Sequence, residues 1–292
     1  CQLFPYRFME TPSGVYTTVS FVSMATIYNT GKPLVEQQEW LNKKWEQFCF
    51  LYPDYHPDWN NLKLAVGVPI TWEQFKQHDE KLLSIIDDTS MPLEERLLAG
   101  SQYLLTQLKN TPPPASSLAL NPMDRALIRQ LHTVYFPAKP QLRGEQNFRI
   151  WDFCRTRIFD GTALQFPAKN YSFAALKAVK WPENDPEIDN LIYRYIYSML
   201  FSKTYCGPGF GQVSMIAGFH HIILIYLLIK LHARGVALSR EAPAVSFVDM
   251  VATIKQLETQ LGETKLNGYS AALWELLLSS GNRARRLLDF AR

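Results

Sequence analysis

Chemistry in this chain of 292 residues has few side chains to draw on. The usual metal ligands and nucleophiles are Cys1, Cys49, Cys154 and Cys206, and His56, His78, His132, His220, His221 and His232. No two cysteines make a CxxC pair, so the sequence shows no zinc knuckle or redox motif within itself. His220 and His221 are neighbours, and on a helix they point about 100° apart, which excludes the i, i+4 pair that chelates zinc. His232 could share a face with His221, but three turns away, so locally hydrogen-bonded core or interface histidines are expected. His56, His78 and His132 have no Cys or carboxylate at ligand spacing, and surface or capping roles are expected for them. Cys206-Gly207-Pro208-Gly209-Phe210-Gly211 precedes an apolar segment. Gly207, Gly209 and Gly211 could let backbone N–H groups approach an anionic cofactor at a helix N-terminus. The blander reading is a helix C-cap and tight turn, because no strand precedes the loop and no acid follows about twenty residues on. Four arginines fall between Asn282 and Arg292. Such a cluster can bind phosphate or an acidic partner, but a solvated helix end is the simpler expectation. No G-x-S-x-G, Walker loop or H-E-x-x-H is present, which lowers the weight of hydrolase and kinase chemistry.

The elements that position these residues read as helices. Leu34, Leu41, Trp45, Phe48 and Tyr52 recur at helical spacing after Gly31-Lys32-Pro33. Thr71-Trp72-Glu73-Gln74 is a capping box opening a helix to about Asp87. Pro92 opens another with Leu93, Leu97, Leu104 and Leu108 on one stripe. Further helices are expected over Pro122–Tyr135, from Asp185-Pro186-Glu187, and over Gln212–Ala233, Ser246–Leu261 and Tyr269–Ser279, closed or separated by Gly235, Gly262 and Gly281. Phe4–Met9 and Val15–Phe21 flank Thr11-Pro12-Ser13-Gly14 and predict a hairpin with a four-residue loop. Leu62–Ile70 is a short extended candidate, and Phe136–Glu183 has no sustained period. Trp40, Trp45, Trp72 and Trp274 fall on apolar faces and read as packing, not as a base-stacking platform.

The fold class expected is therefore mainly α, a helical bundle-like body with a small N-terminal β-hairpin. Three units are expected: residues 1–32 with the hairpin, a helical lobe over 33–117 ending in a Pro-rich linker at 111–117, and a second lobe over 118–292. A hydrophobic fraction of 47% against 20% charged fits a globular protein, and a net charge of +3 is too small to argue for nucleic acid or an acidic membrane. The apolar run Val213–Leu231 is interrupted by Ser214, His220, His221 and Lys230, so a buried core helix is expected there and no membrane span. Sparse cysteines favour a reducing compartment, and the expected location is cytoplasmic. Because the chain starts with Cys1, a truncated fragment is expected, in preference to a lipidated N-terminus or an N-terminal nucleophile.

Cys1-Gln2-Leu3-Phe4-Pro5-Tyr6-Arg7-Phe8 followed by a hairpin, and Gly31-Lys32-Pro33-Leu34 turning into a helix, resemble the YkgJ-like cysteine-cluster family, which includes flagellin lysine-N-methylase. Ile70-Thr71-Trp72-Glu73 and Pro92-Leu93-Glu94-Glu95-Arg96-Leu97-Leu98 are similar to helix starts of that family. The resemblance implies that Cys1 is a residual ligand of an iron–sulfur cluster or zinc. It also implies methyl transfer from S-adenosylmethionine to lysines of a protein substrate. Ser23 stands where the family has a second cysteine, and a hydroxyl is a far poorer ligand for such a site. That departure motivates the alternative, a non-enzymatic helical protein that binds a protein partner and has lost its metal site.

Overall fold

The computed structural model describes residues 3–108, 119–137, 163–183, 185–263, 268–279 and 281–292. The chain is mainly α, with eleven α-helices and three antiparallel two-stranded ribbons among the described residues. The first ribbon is the N-terminal hairpin, β1 (Tyr6–Thr11) and β2 (Gly14–Val19), in register from Tyr6 opposite Val19 to Thr11 opposite Gly14. Its loop is two residues long, not four, because Thr11 and Gly14 still pair. The Thr11 hydroxyl donates to Gly14 O at 2.8 Å and accepts from Ser13 N at 3.2 Å, while Gly14 takes a φ of 122° that a side chain would resist.

Helix α1 (Met24–Ile27), a 3-10 turn (Leu34–Gln37) and α2 (Gln38–Leu51) follow the hairpin. α2 is poorly covered: Lys44 is its one buried residue, and its apolar side rests on Phe8, whose ring lies 5.6 Å from Trp45 and 5.5 Å from Phe48. A small ribbon, β3 (Lys63–Ala65) with β4 (Val68–Pro69), occupies the extended Leu62–Ile70 segment. α3 (Trp72–Asp87) starts on the expected capping box, with Gln74 N donating to Thr71 Oγ1 at 3.2 Å and Thr71 N to Gln74 Oε1 at 2.9 Å. α4 (Leu93–Thr106) and α5 (Pro122–Tyr135) come next, and α5 begins on a second capping box made by Asn121 and Asp124. The aperiodic stretch holds a third ribbon, β5 (Ala163–Gln165) with β6 (Asn170–Ser172), and the short α6 (Phe173–Ala178). The Pro-rich segment 111–117 lies outside the described residues.

The remaining helices are α7 (Pro186–Phe201), α8 (Met215–Ser239), α9 (Phe247–Glu263), α10 (Gly268–Leu278) and α11 (Gly281–Ala291). α8 is the axis of the molecule. Every residue from Met215 to Gly235 is buried, and α4, α5, α6, α7, α9, α10 and α11 all pack on it. It is the one described helix long and apolar enough to cross a membrane, but 83% of that window is enclosed by the protein's own helices. An all-round apolar helix is what the centre of a bundle requires, at roughly 1.5–3 kcal/mol for each large aliphatic side chain buried. α8 also runs past Gly235, where the sequence expectation placed its end. A Cβ on Gly235 would stand 1.9 Å from the Phe166 ring, so glycine is there to admit that ring and not to stop the helix.

The core does not divide at residue 117. Leu82 of α3 and Leu97 and Leu104 of α4 belong to the same cluster as Phe219 and Leu227 of α8 and Leu287 of α11. At the α4–α8 crossing, a Cβ on Gly100 would meet Phe219 Cζ at 2.5 Å. The two helical lobes therefore share one interior.

Candidate functional site

The buried histidines are structural partners of one another and of hydroxyls. His220 Nε2 lies 2.7 Å from Ser101 Oγ while its Nδ1 bonds the Leu278 carbonyl, and His221 Nε2 lies 2.8 Å from the Tyr135 hydroxyl. His132, expected at the surface, is wholly buried, and its Nε2 meets His232 Nδ1 at 3.0 Å with the Phe166 ring close to both. Periodicity placed His132 on a helix but could not show that α8 would cover that side. Burial pushes the pKa down to about 3 for His132 and His221 and about 4 for His220, so all three are neutral. His56 pairs with Glu10 at 3.4 Å near the surface, and His78 bonds the Tyr103 hydroxyl at 2.9 Å.

Among the described residues no group of three or more His, Cys, Asp or Glu is placed to hold a metal. Cys1 and Cys154 lie outside the described residues. Cys49 is exposed and alone, and Cys206 is sealed in the core, where burial drives its thiol pKa well up and withholds the thiolate a metal needs. The described donors therefore do not fit an iron–sulfur cluster or zinc.

Gly207, Gly209 and Gly211 form a tight turn closed upon itself. Gly207 N donates to Val213 O at 2.8 Å, and Gln212 N donates to Gly207 O at 2.8 Å. Gly207 and Gly211 have φ of 55° and 59°, and a Cβ on Gly209 would lie 2.4 Å from Lys203 O. The α8 N-terminus behind this turn does receive an anion, but it is the carboxylate of Glu275 from α10. Glu275 accepts from Ser214 N and, at 2.7 Å, from Ser214 Oγ. The place expected for an anionic cofactor is filled by the chain itself.

Two arginines of the C-terminal cluster, Arg283 and Arg286, are turned inward, which corrects in part the expectation of a solvated end, while Arg285 and Arg292 are exposed. Arg283 and Arg286 both bind Asp124 of α5, at 2.8 and 2.5 Å, and Arg292 pairs with Glu95 of α4. No local pattern signals this pairing, since Asp124 is 159 residues from Arg283.

A cavity of about 660 Å³ is an open cleft between the hairpin, the loop from Tyr28 to Pro33, and α7. Ser23 and the Gly31-Lys32-Pro33-Leu34 turn line it, with Pro5 and Tyr6 at one end and Tyr197, Ser198 and Phe201 of α7 opposite. Arg194 forms its floor. Nη1 and Nη2 donate at 2.6 Å to the carbonyls of Thr26 and Ile27, the last residues of α1, and Nε donates to Asn190 at 2.8 Å. Each terminal nitrogen keeps a second N–H. No carboxylate lies within ion-pair distance of Arg194 among the described residues, and burial lowers its pKa. The lining contains Arg194 and Lys32 as cations, several hydroxyls, and no Asp or Glu. The hairpin wall is fixed from behind by Glu258 of α9, which accepts from Ser20 Oγ at 3.1 Å, Phe21 N at 3.0 Å and Arg7 at 3.0 Å.

No family model matches this chain, and neither a curated protein nor a solved structure matches it.

Proposed function

We propose that this chain is a helical binding protein whose cleft between the hairpin and α7 receives a carboxylate-bearing segment of a protein partner. The observation that carries the reading is the charge of the cleft: two cations and no acid among its lining residues. The surrounding surface fits a protein ligand. Nine of the thirteen large apolar side chains exposed among the described residues fall in the first 52 residues, including Val35 and Trp40 beside the cleft and Phe50 on the open side of α2. An anchoring carboxylate flanked by apolar contacts is a common composition for a peptide-binding face.

A second reading rests on the convergence of the family-like residues. Pro5, Tyr6, Ser23 and the Gly31–Leu34 turn meet on this one cleft, as they would if it served a metal-cluster protein methylating lysine. The cleft's charge favours the first reading. A lysine ammonium about 6 Å from a fixed cation is disfavoured by roughly 0.7–3 kcal/mol across effective dielectrics of about 80 to 20.

The test is fluorescence polarisation with a labelled peptide alternating Glu and Phe, against the same peptide with Lys in place of Glu. The acidic peptide is expected to bind at least about tenfold tighter, with affinity falling as salt rises. Lys32→Glu, an exposed position, is expected to cost about 1 kcal/mol, roughly fivefold in Kd. Equal binding of the two peptides, or preference for the basic one, would reject an acidic ligand and return weight to the lysine-directed reading.

A further inference from the structure

A second cavity, about 400 Å³, lies where the first turn of α4 and the segment 181–183 approach the middle of α8, away from the hairpin cleft. Its inner wall holds Lys230, 4% exposed, from the otherwise apolar α8. Lys230 Nζ lies 2.9 Å from Glu94 Oε1 and 3.3 Å from the Tyr226 hydroxyl one turn earlier, and 4.7 Å from the centroid of the Trp181 ring. Tyr226 also donates to Glu94 Oε1. A lysine, a carboxylate and a phenol thus share one hydrogen-bonded cluster, and all three line a cavity large enough for a small solute. A purely structural ion pair gains nothing from an adjoining cavity. An amine that must meet a substrate requires one.

We propose that Lys230 is a carbonyl-reactive amine that forms an imine with a small uncharged aldehyde or ketone held against Trp181. Its ammonium proton passes to Glu94, and the freed Nζ lone pair adds to the carbonyl carbon. The carbonyl π pair moves to oxygen, which takes a proton from Tyr226. Nitrogen then gives up a proton to the tyrosinate and the carbinolamine hydroxyl leaves as water with the proton held by Glu94. The sum is ammonium plus carbonyl giving protonated imine plus water, with Glu94 and Tyr226 restored and no oxidant or reductant consumed. An uncharged carbonyl compound suits the cavity because its lining carries three acids, Glu94, Glu183 and Asp189, against two cations, Lys230 and Arg96, and the excess negative charge disfavours an anionic keto acid.

The environment supports the role. Burial lowers the Lys230 pKa below that of an ordinary lysine, against the attraction of Glu94. Burial also opposes ionisation of Glu94, but the Lys230 ammonium and the hydrogen bonds from Tyr226 and Lys230 outweigh it and keep its pKa low. Its place in the first turn of α4 favours the carboxylate further.

The experiment is reductive labelling of the full chain with dihydroxyacetone and sodium cyanoborohydride at neutral pH, read by peptide mass mapping over time. Lys230, held in the cavity beside Glu94 and Tyr226, is expected to acquire the reduced adduct several-fold faster than Lys76, an exposed lysine of α3. Tyr226→Phe, which keeps the ring, is expected to slow Lys230 labelling and leave Lys76 unchanged, with the circular dichroism spectrum retained. Labelling of Lys230 no faster than Lys76 in the folded wild type would overturn the proposal, and so would an unchanged Lys230 rate in folded Tyr226→Phe.

Discussion

Asp124→Asn isolates the fastening between the C-terminal helix and the body. Asp124 is fully buried and serves two purposes: it accepts from Asn121 N at 3.1 Å in the α5 capping box, and it neutralises Arg283 and Arg286, whose side chains are 11% and 12% exposed. Arg286 binds both carboxylate oxygens, through Nε at 2.5 Å and Nη2 at 3.1 Å. Asparagine keeps the volume and a carbonyl able to cap, so the loss is that of the charge. Two nearly buried guanidinium groups would then face a neutral amide, and breaking such a cluster from one side costs about 3–5 kcal/mol. With an unfolding entropy of about 2.1 cal/mol/K per residue, a chain of this length should lose about 5–8 °C in Tm. Calorimetry at pH 7 measures it. Arg286→Met alone and combined with Asp124→Asn completes a double-mutant cycle, with an expected coupling of at least about 1.5 kcal/mol. The sign with pH follows from the carboxyl. Burial opposes its ionisation, but hydrogen bonds from Arg286, Arg283 and Asn121 outweigh this and hold its pKa below the usual range. Its contribution is therefore complete above about pH 4 and disappears as pH falls through the folded value. The mutant and wild type should converge in acid. Additive mutations, or a loss under about 1 kcal/mol, would refute the argument.

Two further outcomes follow from burial. Unfolded histidines titrate near pH 6.5 while His132 and His221 are held to about 3 and His220 to about 4, so the unfolded chain binds more protons in the interval between. Stability should be complete above about pH 6.5 and fall below it, by at most roughly 1.4 kcal/mol per pH unit for each histidine. A Tm flat from pH 7 to 5.5, or imidazole resonances titrating near 6.5 in the folded protein, would contradict this. Gly235→Ala should gain about 1 kcal/mol in helix propensity yet lose about 1–3 kcal/mol by overpacking against Phe166, and so lower Tm. A raised Tm would show that the ring can move aside.

What the sequence made legible was local. The Thr71–Gln74 cap, the proline at the start of α7 and the leucine stripe of α4 all act within a few turns, so each was set by neighbouring residues. What it hid was set across the fold. His132 follows a helical period whether its face is wet or dry, and only α8 lying against it decides. Gly235 carries the residue type of a helix stop, but its meaning comes from Phe166, 69 positions away by number. The Arg283–Arg286 cluster has the look of a ligand site until Asp124 answers it, and the α8 N-terminus until Glu275 does. In both cases a charged motif read as outward-facing was neutralised by a distant carboxylate of the same chain.

That contrast makes Arg194 and Lys230 the informative cations. Several buried carboxylates in this protein are answered directly: Asp124 by two arginines, Asp79 by Lys203 and the Tyr205 hydroxyl at 3.1 Å, and Glu258 by Arg7. Those clusters are paired, and their role is to hold elements of the fold together. Arg194 spends its hydrogen bonds on neutral carbonyls and keeps an unanswered charge on the floor of the hairpin cleft. Lys230 is answered by Glu94, but at the edge of a cavity and with a phenol in reach. Retaining a cation beside open volume carries a desolvation cost with little packing in return. The two cavities are lined by different residues of α7, Arg194, Tyr197, Ser198 and Phe201 against Asp189 and Ile192, and are accordingly separable: Lys32→Glu should leave Lys230 labelling unchanged, and Tyr226→Phe should leave peptide binding unchanged.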